Sequence, residues 1–154
     1  MSLVFADETF AFELLRTIGH AAADAADIGE CLAAAARMSD GDVESWHREW
    51  LALADRVQRE AELSAAGGHT VSARGGFLRA SNYYRAAEFF LHEHPADPRL
   101  LATWRASRDA FARAVPLLPH PAAAVAIPYE GTGTPTTLAM TATTSSAAKD
   151  VGPK

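Results

Sequence analysis

The residues best suited to chemistry lie in one stretch, 70–92, whose spacing of apolar residues predicts a long helix. At 100° per residue, five polar side chains of this helix fall within an arc of roughly 60°. Apolar residues flank them on both sides, so the helix should lie in the interior of the protein. Buried charges need partner residues, water or a ligand, which makes these five the first candidates for a functional site. We call them the polar stripe: Arg74, Ser81, Arg85, Glu88 and His92.

The polar stripe has a structural interpretation that needs no ligand. Most buried charges are paired, and Arg85 and Glu88 lie one helical turn apart, where side chains can meet. Arg74 would then cap or bridge a neighbouring helix, and His92 would lie near the exposed end of the central helix. In this interpretation, replacing Arg85 by alanine destabilises the fold by on the order of 3 kcal/mol, because Glu88 stays buried without its partner.

Neither a metal site nor a catalytic triad is expected. Glu88 and His92 are one turn apart, but a zinc site needs at least three protein ligands, and the local spacing matches no standard pattern. No serine lies on the sharp strand-to-helix turn that a nucleophile requires. We therefore predict no catalytic residue, no metal and no cofactor. The remaining histidines are expected at surface or capping positions: His20, His47, His69 and His120.

Two short helices are expected before the central one. The first should begin after Asp7, a good helix cap, with an inward side formed by Ala11, Leu14, Leu15, Ile18 and Ala22. The second should begin after Asp27, where Glu30 three positions later indicates a reciprocal capping box. The lone cysteine, Cys31, falls on its apolar side and is expected to pack as a small core residue.

Two longer helices should complete the bundle, one running from Asp42 to about Ala66 and one starting at Asp97-Pro98. Apolar residues at helical spacing predict the side of each helix that faces the core, and the three tryptophans are interpreted as core rather than as a binding box. The inward residues are Val43, Trp46, Trp50, Leu53, Ala54, Val57 and Ala61 in the first, and Leu101, Trp104, Phe111 and Val115 in the second.

Glycine pairs mark two features of the central helix. Gly67-Gly68 supplies a left-handed helix end, so the helix before it should pack antiparallel to the central helix, which Thr70 can cap. Gly75 and Gly76 lie inside the central helix, where each costs about 1 kcal/mol relative to alanine. Either another backbone approaches closely there, or the helix is locally weak.

These patterns predict an all-α fold of about five helices, in antiparallel hairpins around a central buried helix at 70–92. A helical domain should span residues 1–121, followed by one short β-type segment at 122–131. Residues 132–154 contain mainly Thr, Ser, Ala and Gly, and we expect a disordered tail.

Composition excludes several function classes. The net charge of −5 and the lack of a basic run argue against nucleic-acid binding. No stretch approaches the 18 apolar residues of a membrane helix, and the N-terminus lacks the cations and apolar run of a signal peptide. A single cysteine fits a reducing compartment. We expect a cytoplasmic protein without nucleic-acid or membrane partners.

Four words of the sequence resemble one group of α/β-hydrolases. They are SARGGFLRASNYYRAAEFFL at 72–91, WHREWLALADRV at 46–57, DPR at 97–99 and IPYEG at 127–131. The group carries an N-terminal helical cap and is similar to the fermentation-respiration switch protein, 2,6-dihydropseudooxynicotine hydrolase and the fungal polyketide-shortening hydrolases. The resemblance extends from about residue 5 to residue 131.

The resemblance implies that this chain is the cap of such an enzyme, with 127–131 as the first strand of a catalytic domain. The sequence contains no G-x-S-x-G elbow, so no catalytic role can be assigned, and a truncated or frame-shifted gene is one hypothesis. A small-molecule substrate is then expected only together with a catalytic domain. The cap side of the cleft would be lined by Arg74, Ser81, Asn82, Tyr84, Arg85 and Glu88.

A second interpretation belongs to a different class. The chain could be a free-standing helical module that binds a protein or peptide around its central helix. If instead it is a cap without its catalytic domain, a bare apolar face is expected, which would favour homo-oligomers.

Overall fold

The computed structural model describes residues 4–120, 122–126 and 136–140. The chain forms two compact units, one up to Leu117 and one from Leu118 onward. The first unit is helical over its described residues, which confirms the predicted all-α class. Its five helices are α1 (Glu8–Gly19), α2 (Ile28–Ala35), α3 (Val43–Ala66), α4 (Thr70–Glu88) and α5 (Pro98–Ala114), and short 3₁₀ turns follow three of them at His20–Ala23, Phe89–Glu93 and Val115–Leu117.

Aspartates start four of the helices, as expected from the sequence. The side chains of Asp7, Asp27, Asp42 and Asp97 each accept a hydrogen bond from a backbone N–H in the first turn of α1, α2, α3 and α5. These bonds satisfy N–H groups that have no partner inside the helix. The predicted cap at Thr70 is wrong, because Thr70 is already the first residue of α4, and His69 occupies the capping position without a side-chain bond.

The antiparallel hairpin of α3 and α4 forms the centre of the unit. Gly68, at φ +76°, provides the left-handed conformation that ends α3 and turns the chain back. Gly76 then meets Ala61 so closely that a Cβ on the glycine would lie 2.7 Å from the Ala61 Cβ. Of the two alternatives for this glycine pair, the close approach of another backbone is therefore correct at Gly76. At Gly75 a Cβ would meet only the Arg79 side chain, at 3.6 Å.

An aromatic cluster fills the space beside this hairpin. Trp46 and Trp50 are fully buried, and their ring centroids are 5.8 Å apart. Trp46 also packs against Phe10 of α1 at 4.8 Å and against Phe90 at 5.3 Å. Tyr83 lies 5.5 Å from Trp50. The core interpretation of these two tryptophans is correct.

The central α-helix is shorter than the predicted 70–92. Where α4 ends, Trp46 Nε1 donates to the Ala86 carbonyl at 2.7 Å, and His47 Nδ1 is 2.9 Å from the Ala87 carbonyl. Carbonyls near a helix end have few backbone partners, and these side chains of α3 contact two of them, although the Ala86 carbonyl also accepts from the Phe89 N–H. The chain then tightens into the 3₁₀ turn at Phe89–Glu93. His47 is thus buried at the end of α4, which agrees with the capping position predicted for it and not with the surface alternative.

The predicted inward face of α5 is wrong, and those of α1 and α3 are only partly right, because Leu14 is buried as predicted whereas Val43 is 41% exposed. α1 buries Phe10, Glu13, Leu14 and Thr17, whereas Leu15 is 54% exposed. α5 buries Thr103, Ala110 and Ala114, while its large apolar residues lie outside, with Leu101 50%, Trp104 47% and Phe111 37% exposed. Small side chains let α5 approach α4 closely, so its bulky residues are left at the side of the contact.

The second unit contains a two-stranded antiparallel pair, β1 (Ala122–Ala126) and β2 (Thr136–Met140). Ala122 pairs with Met140, and Ala126 pairs with Thr136. β1 lies in the predicted β-type segment. β2 lies where the sequence predicts disorder, and these five residues differ from that prediction because β1 offers them backbone partners. The rest of the predicted tail, and the IPYEG word at 127–131, fall outside the described residues, and the division into 1–121, 122–131 and 132–154 stays a prediction.

None of the described helices combines the length and the apolar content that crossing a bilayer requires.

Candidate functional site

The predicted site residues do not share one cleft, because α4 is surrounded and each side of it meets a different neighbour. Ser81 faces α5, where Ser107 Oγ donates to the Ser81 carbonyl at 2.9 Å. Asn82 faces the end of α1, and its Nδ2 donates to the carbonyls of Thr17 and Ala25 at 3.1 and 2.9 Å. These two residues hold helices together.

Tyr84 and Arg74 also have internal partners. The Tyr84 hydroxyl donates to Asp55 Oδ1 on α3 at 2.7 Å, and burial, with the carboxylate beside it, raises the pKa of Tyr84. Arg74 Nη2 is 3.5 Å from Asp24 Oδ2, just after the 3₁₀ turn that follows α1, so Arg74 bridges to a loop and not, as the structural interpretation expects, to a helix. Tyr84 therefore links α4 to α3 through Asp55, and Arg74 links α4 to the segment after α1.

Arg74 lines a groove together with Asp24 and Arg79. Arg85 and His92 line another groove, and Glu88 lies near His92 without lining it. This latter groove lies at the end of α4, has a volume of about 430 Å³, and we call it the α4-end groove. The predicted ion pair between Arg85 and Glu88 does not form: Glu88 Oε1 lies 3.7 Å from His92 Nε2, and Arg85 is exposed. The lining residues are Thr9, Arg85, Phe89, Phe90, His92 and Glu93.

Glu88 is an unusual group for this position. It is only 4% exposed, and its Oε2 atom is buried without a hydrogen-bond partner among the described residues. Burial raises the pKa of Glu88, and the positive charges of His92 and Arg85 oppose that rise. The neutral form of the Glu88 carboxyl group is therefore favoured more than in an exposed glutamate.

The α4-end groove can bind and orient a ligand, but its lining offers no activated nucleophile. Phe89 and Phe90 are half-buried and pack edge to face at 5.0 Å, and the Arg16 guanidinium lies 5.6 Å from the centre of the Phe89 ring. Arg85 adds an exposed positive charge that can donate to a carbonyl or carboxylate oxygen. The groove suits a partly apolar, planar molecule with an oxygen acceptor.

A third groove, of about 480 Å³, lies between α3 and the start of α5. Its principal charges pair with one another: the Arg99 guanidinium donates to Glu44 at 2.7 and 2.9 Å and to Asp97 at 2.7 Å. Arg99 lowers the pKa of Asp97 to about 2 and also lowers the pKa of Glu44. We interpret this cluster as a link between two helices. Glu44 on α3 thus pairs with a residue of α5.

Sequence reasoning missed the role of Tyr83. Its hydroxyl accepts from the Asp27 N–H and donates to Glu30 Oε2, both at 2.8 Å. In the predicted capping box Glu30 itself would bind that N–H, so the tyrosine stands between the two groups. Burial raises the pKa of Cys31, beside it, to about 11, which fits its predicted core role. No local pattern indicates this contact, because Tyr83 is more than 50 residues from its partners.

Metal ligation has no support in the part of the chain that the structure describes, where no group of three His, Cys, Asp or Glu side chains could hold an ion.

No family model matches the chain. It is 45% identical over 130 residues to 20-hydroxy-prefusarin hydrolase FUS2 of Gibberella moniliformis, a match that covers 84% of this chain and 31% of FUS2. It is 46% identical over 134 residues to hydrolase LUC6 of a Fusarium species, covering 87% of this chain and 32% of LUC6. The α/β-hydrolase psoB of Aspergillus fumigatus is 38% identical over 130 residues, and the match covers 83% of this chain and 29% of psoB.

This chain is homologous to one part of the fungal α/β-hydrolases. The predicted resemblance to polyketide-shortening hydrolases of fungi is thereby confirmed at the level of the group. The chain spans about 30% of the length of these hydrolases.

Proposed function

We propose that this chain is the helical cap of an α/β-hydrolase, and that it positions substrate while another domain supplies the nucleophile. The supporting observation is that the match to FUS2 covers 84% of a chain whose described residues are helical up to Leu117. The α/β-hydrolase nucleophile needs a strand-to-helix elbow, which the helical unit does not offer among its described residues. The matched part therefore suits a role in binding.

The α4-end groove is the cap's proposed contact with substrate. An ester, or a ketone next to the carbon–carbon bond that is cleaved, carries the carbonyl oxygen to which Arg85 can donate. Phe89 and Phe90 provide apolar walls for the rest of the molecule. A cap with this groove contributes orientation and exclusion of water, which accelerate a reaction only when the catalytic group is present.

A chimera tests this proposal. The segment of LUC6 that aligns with this chain would be replaced by the chain, and hydrolysis of p-nitrophenyl esters would be measured for the chimera, for LUC6 and for the isolated chain. The chimera should retain turnover, and the isolated chain should show none. Turnover by the pure chain, or a chimera that folds but has lost the activity of LUC6, would contradict the proposal.

Arg85→Ala in an active chimera tests the groove itself. Loss of one charge-assisted hydrogen bond to substrate should raise KM by about tenfold, with a smaller change in kcat. Arg48→Ala is the matched control, since Arg48 is also an exposed arginine beside a groove. Equal effects of the two substitutions would remove Arg85 from the substrate site.

The second candidate function, a free-standing helical interaction module, is favoured by the exposed apolar residues of α5. An inactive chimera, together with an isolated chain that binds a protein or peptide through this helix, would favour the module over the cap.

A further inference from the structure

The outward side of α5 carries an apolar stripe that no described residue of the helical unit covers. Leu101, Trp104 and Phe111 are spaced by three and seven residues, which places them on one side of the helix. Between a third and a half of each side chain is exposed, unlike the tryptophans of α3. Exposed apolar residues that are contiguous on one helix mark an interaction surface.

The contacts of α5 determine where this stripe points. Ser107 binds α4, while Arg99 and Arg113 reach Glu44 and Glu62 on α3 from one edge of the helix. At 100° per residue, the apolar stripe lies on the opposite edge of α5, away from α3.

α4 exposes Arg85 on this same side. Around α4, Tyr84 faces α3 and Ser81 faces α5, and Arg85 comes next beyond Ser81. Leu78, which lies near Arg85 around the helix, is partly buried and packs against the core instead. We call the surface formed by these exposed residues the α4/α5 face: Arg85, Leu101, Trp104, Arg108 and Phe111.

The charge of this face narrows the choice of partner. Of the four arginines of α5, Arg99 and Arg113 lie on the opposite edge and pair with Glu44 and Glu62. The Arg108 guanidinium lies 5.4 Å from the centre of the Trp104 ring and pairs with Asp109 at 2.6 Å, which balances its charge. The exposed positive charge of this side therefore comes from Arg85 on α4 and Arg105 on α5. Two copies of this face would bring arginines together, whereas an apolar surface with an acidic rim would complement it.

We propose that the α4/α5 face is the surface on which the catalytic domain of the hydrolase docks. This inference rests on the proposed function and adds the location of the interface. More than two thirds of FUS2 and of LUC6 lies outside the part that this chain matches, which provides an occupant of sufficient size. Arg85 belongs both to this face and to the α4-end groove, so the groove opens at the rim of the interface, where a substrate would lie between the two domains.

Hydroxyl-radical footprinting tests the location. Oxidation rates of Trp104 and Phe111 would be measured by mass spectrometry in the isolated chain and in the LUC6 chimera. The rate at Trp104 should fall by about tenfold in the chimera, because the core of a protein interface excludes water as a protein interior does. Leu63 of α3, which is 74% exposed, is the control and should keep its rate.

The possible outcomes separate the two proposals. An active chimera in which Trp104 is oxidised as fast as in the isolated chain would overturn the docking inference and leave the cap proposal intact. A chimera that does not fold or hydrolyse would count against both. Protection of Trp104 in the isolated chain that grows with protein concentration would identify a second copy as the occupant and overturn the inference.

Discussion

α3 and α5 are both amphipathic helices that present tryptophan to one side, yet they use it differently. On α3, Trp46 and Trp50 are fully buried against α1 and α4, and the Trp46 indole N–H has a backbone acceptor. On α5, Trp104 is 47% exposed, and small residues such as Ala110 make the contact with the core. The spacing of apolar residues defines the apolar side of a helix, but it does not say whether the partner of that side belongs to the same unit.

Among the substitutions that test this comparison, Trp46→Ala should have the largest effect on stability. The substitution removes a fully buried ring and one of the two donors to the Ala86 carbonyl, which also accepts from the Phe89 N–H, so the free energy of unfolding should fall by about 4 kcal/mol. Trp104→Ala is the matched control in the isolated chain and should cost about 1 kcal/mol, because half of its ring is already in water. Urea unfolding followed by circular dichroism measures both. Similar losses of unfolding free energy in the two variants would contradict the difference in tryptophan burial between α3 and α5.

Tyr83→Phe tests how much the buried hydroxyl bridge between α4 and α2 stabilises the fold. Loss of the hydroxyl leaves the Asp27 N–H and the Glu30 carboxylate without their shared partner, which should cost about 2 kcal/mol. Tyr84→Phe should cost less, about 1 kcal/mol, because water can reach its half-buried partner Asp55. Chemical denaturation of both variants checks the order. If the order is reversed, the Tyr83 bridge does not stabilise α2.

Gly76→Ala tests how closely the two long helices approach. The new Cβ would lie 2.7 Å from Ala61, and the strain should exceed the helix propensity that alanine gains, for a net loss of about 1 kcal/mol. Gly75→Ala meets only a flexible arginine side chain and should stabilise the chain by up to about 1 kcal/mol.

Thermal unfolding of the two glycine variants should therefore shift in opposite directions. Adding Ala61→Gly to Gly76→Ala should recover part of the loss, since it removes the opposing methyl group. Stabilisation by both single substitutions would show that α3 and α4 do not meet at Gly76.

The smallest expected effect concerns pH at the α4-end groove. Burial raises the pKa of Glu88, so above the unfolded-state pKa the native state binds more protons than the unfolded state. Stability should therefore fall as the pH rises from the unfolded-state pKa of Glu88 through its raised native-state pKa. Glu88→Gln lacks this proton and should remove that part of the pH dependence.

Urea titrations of wild type and Glu88→Gln between pH 4 and pH 8 measure the difference in slope. Asp109→Asn, at an exposed carboxylate on α5, is the control and should follow the wild-type slope. A wild-type slope that Glu88→Gln leaves unchanged would contradict the raised pKa.

Local chemistry explains why the helices could be predicted and why several of their faces could not. Four helix starts could be predicted because a capping hydrogen bond joins residues that are close in sequence. The capping residues are Asp7, Asp27, Asp42 and Asp97. The prediction of the inward face of α5 is wrong because it placed the large apolar residues in the core. In the structure, close packing of α5 on α4 leaves room only for small side chains there. The candidate site was only partly predictable: Arg85 and Glu88 are near a groove, but Ser81, Asn82 and Tyr84 hold other helices.

The sequence by itself determined the helical class, the helix starts, the glycine turn between α3 and α4 and the likeness to the hydrolases. All of these depend on neighbouring residues or on the order of residues along the chain. Only the tertiary structure decided which partner each polar group of α4 takes, that Tyr83 joins α2 to the core, and that Trp104 stays outside. Those outcomes depend on which helix lies at a given distance and angle, and contacts between residues that are remote in sequence set that geometry.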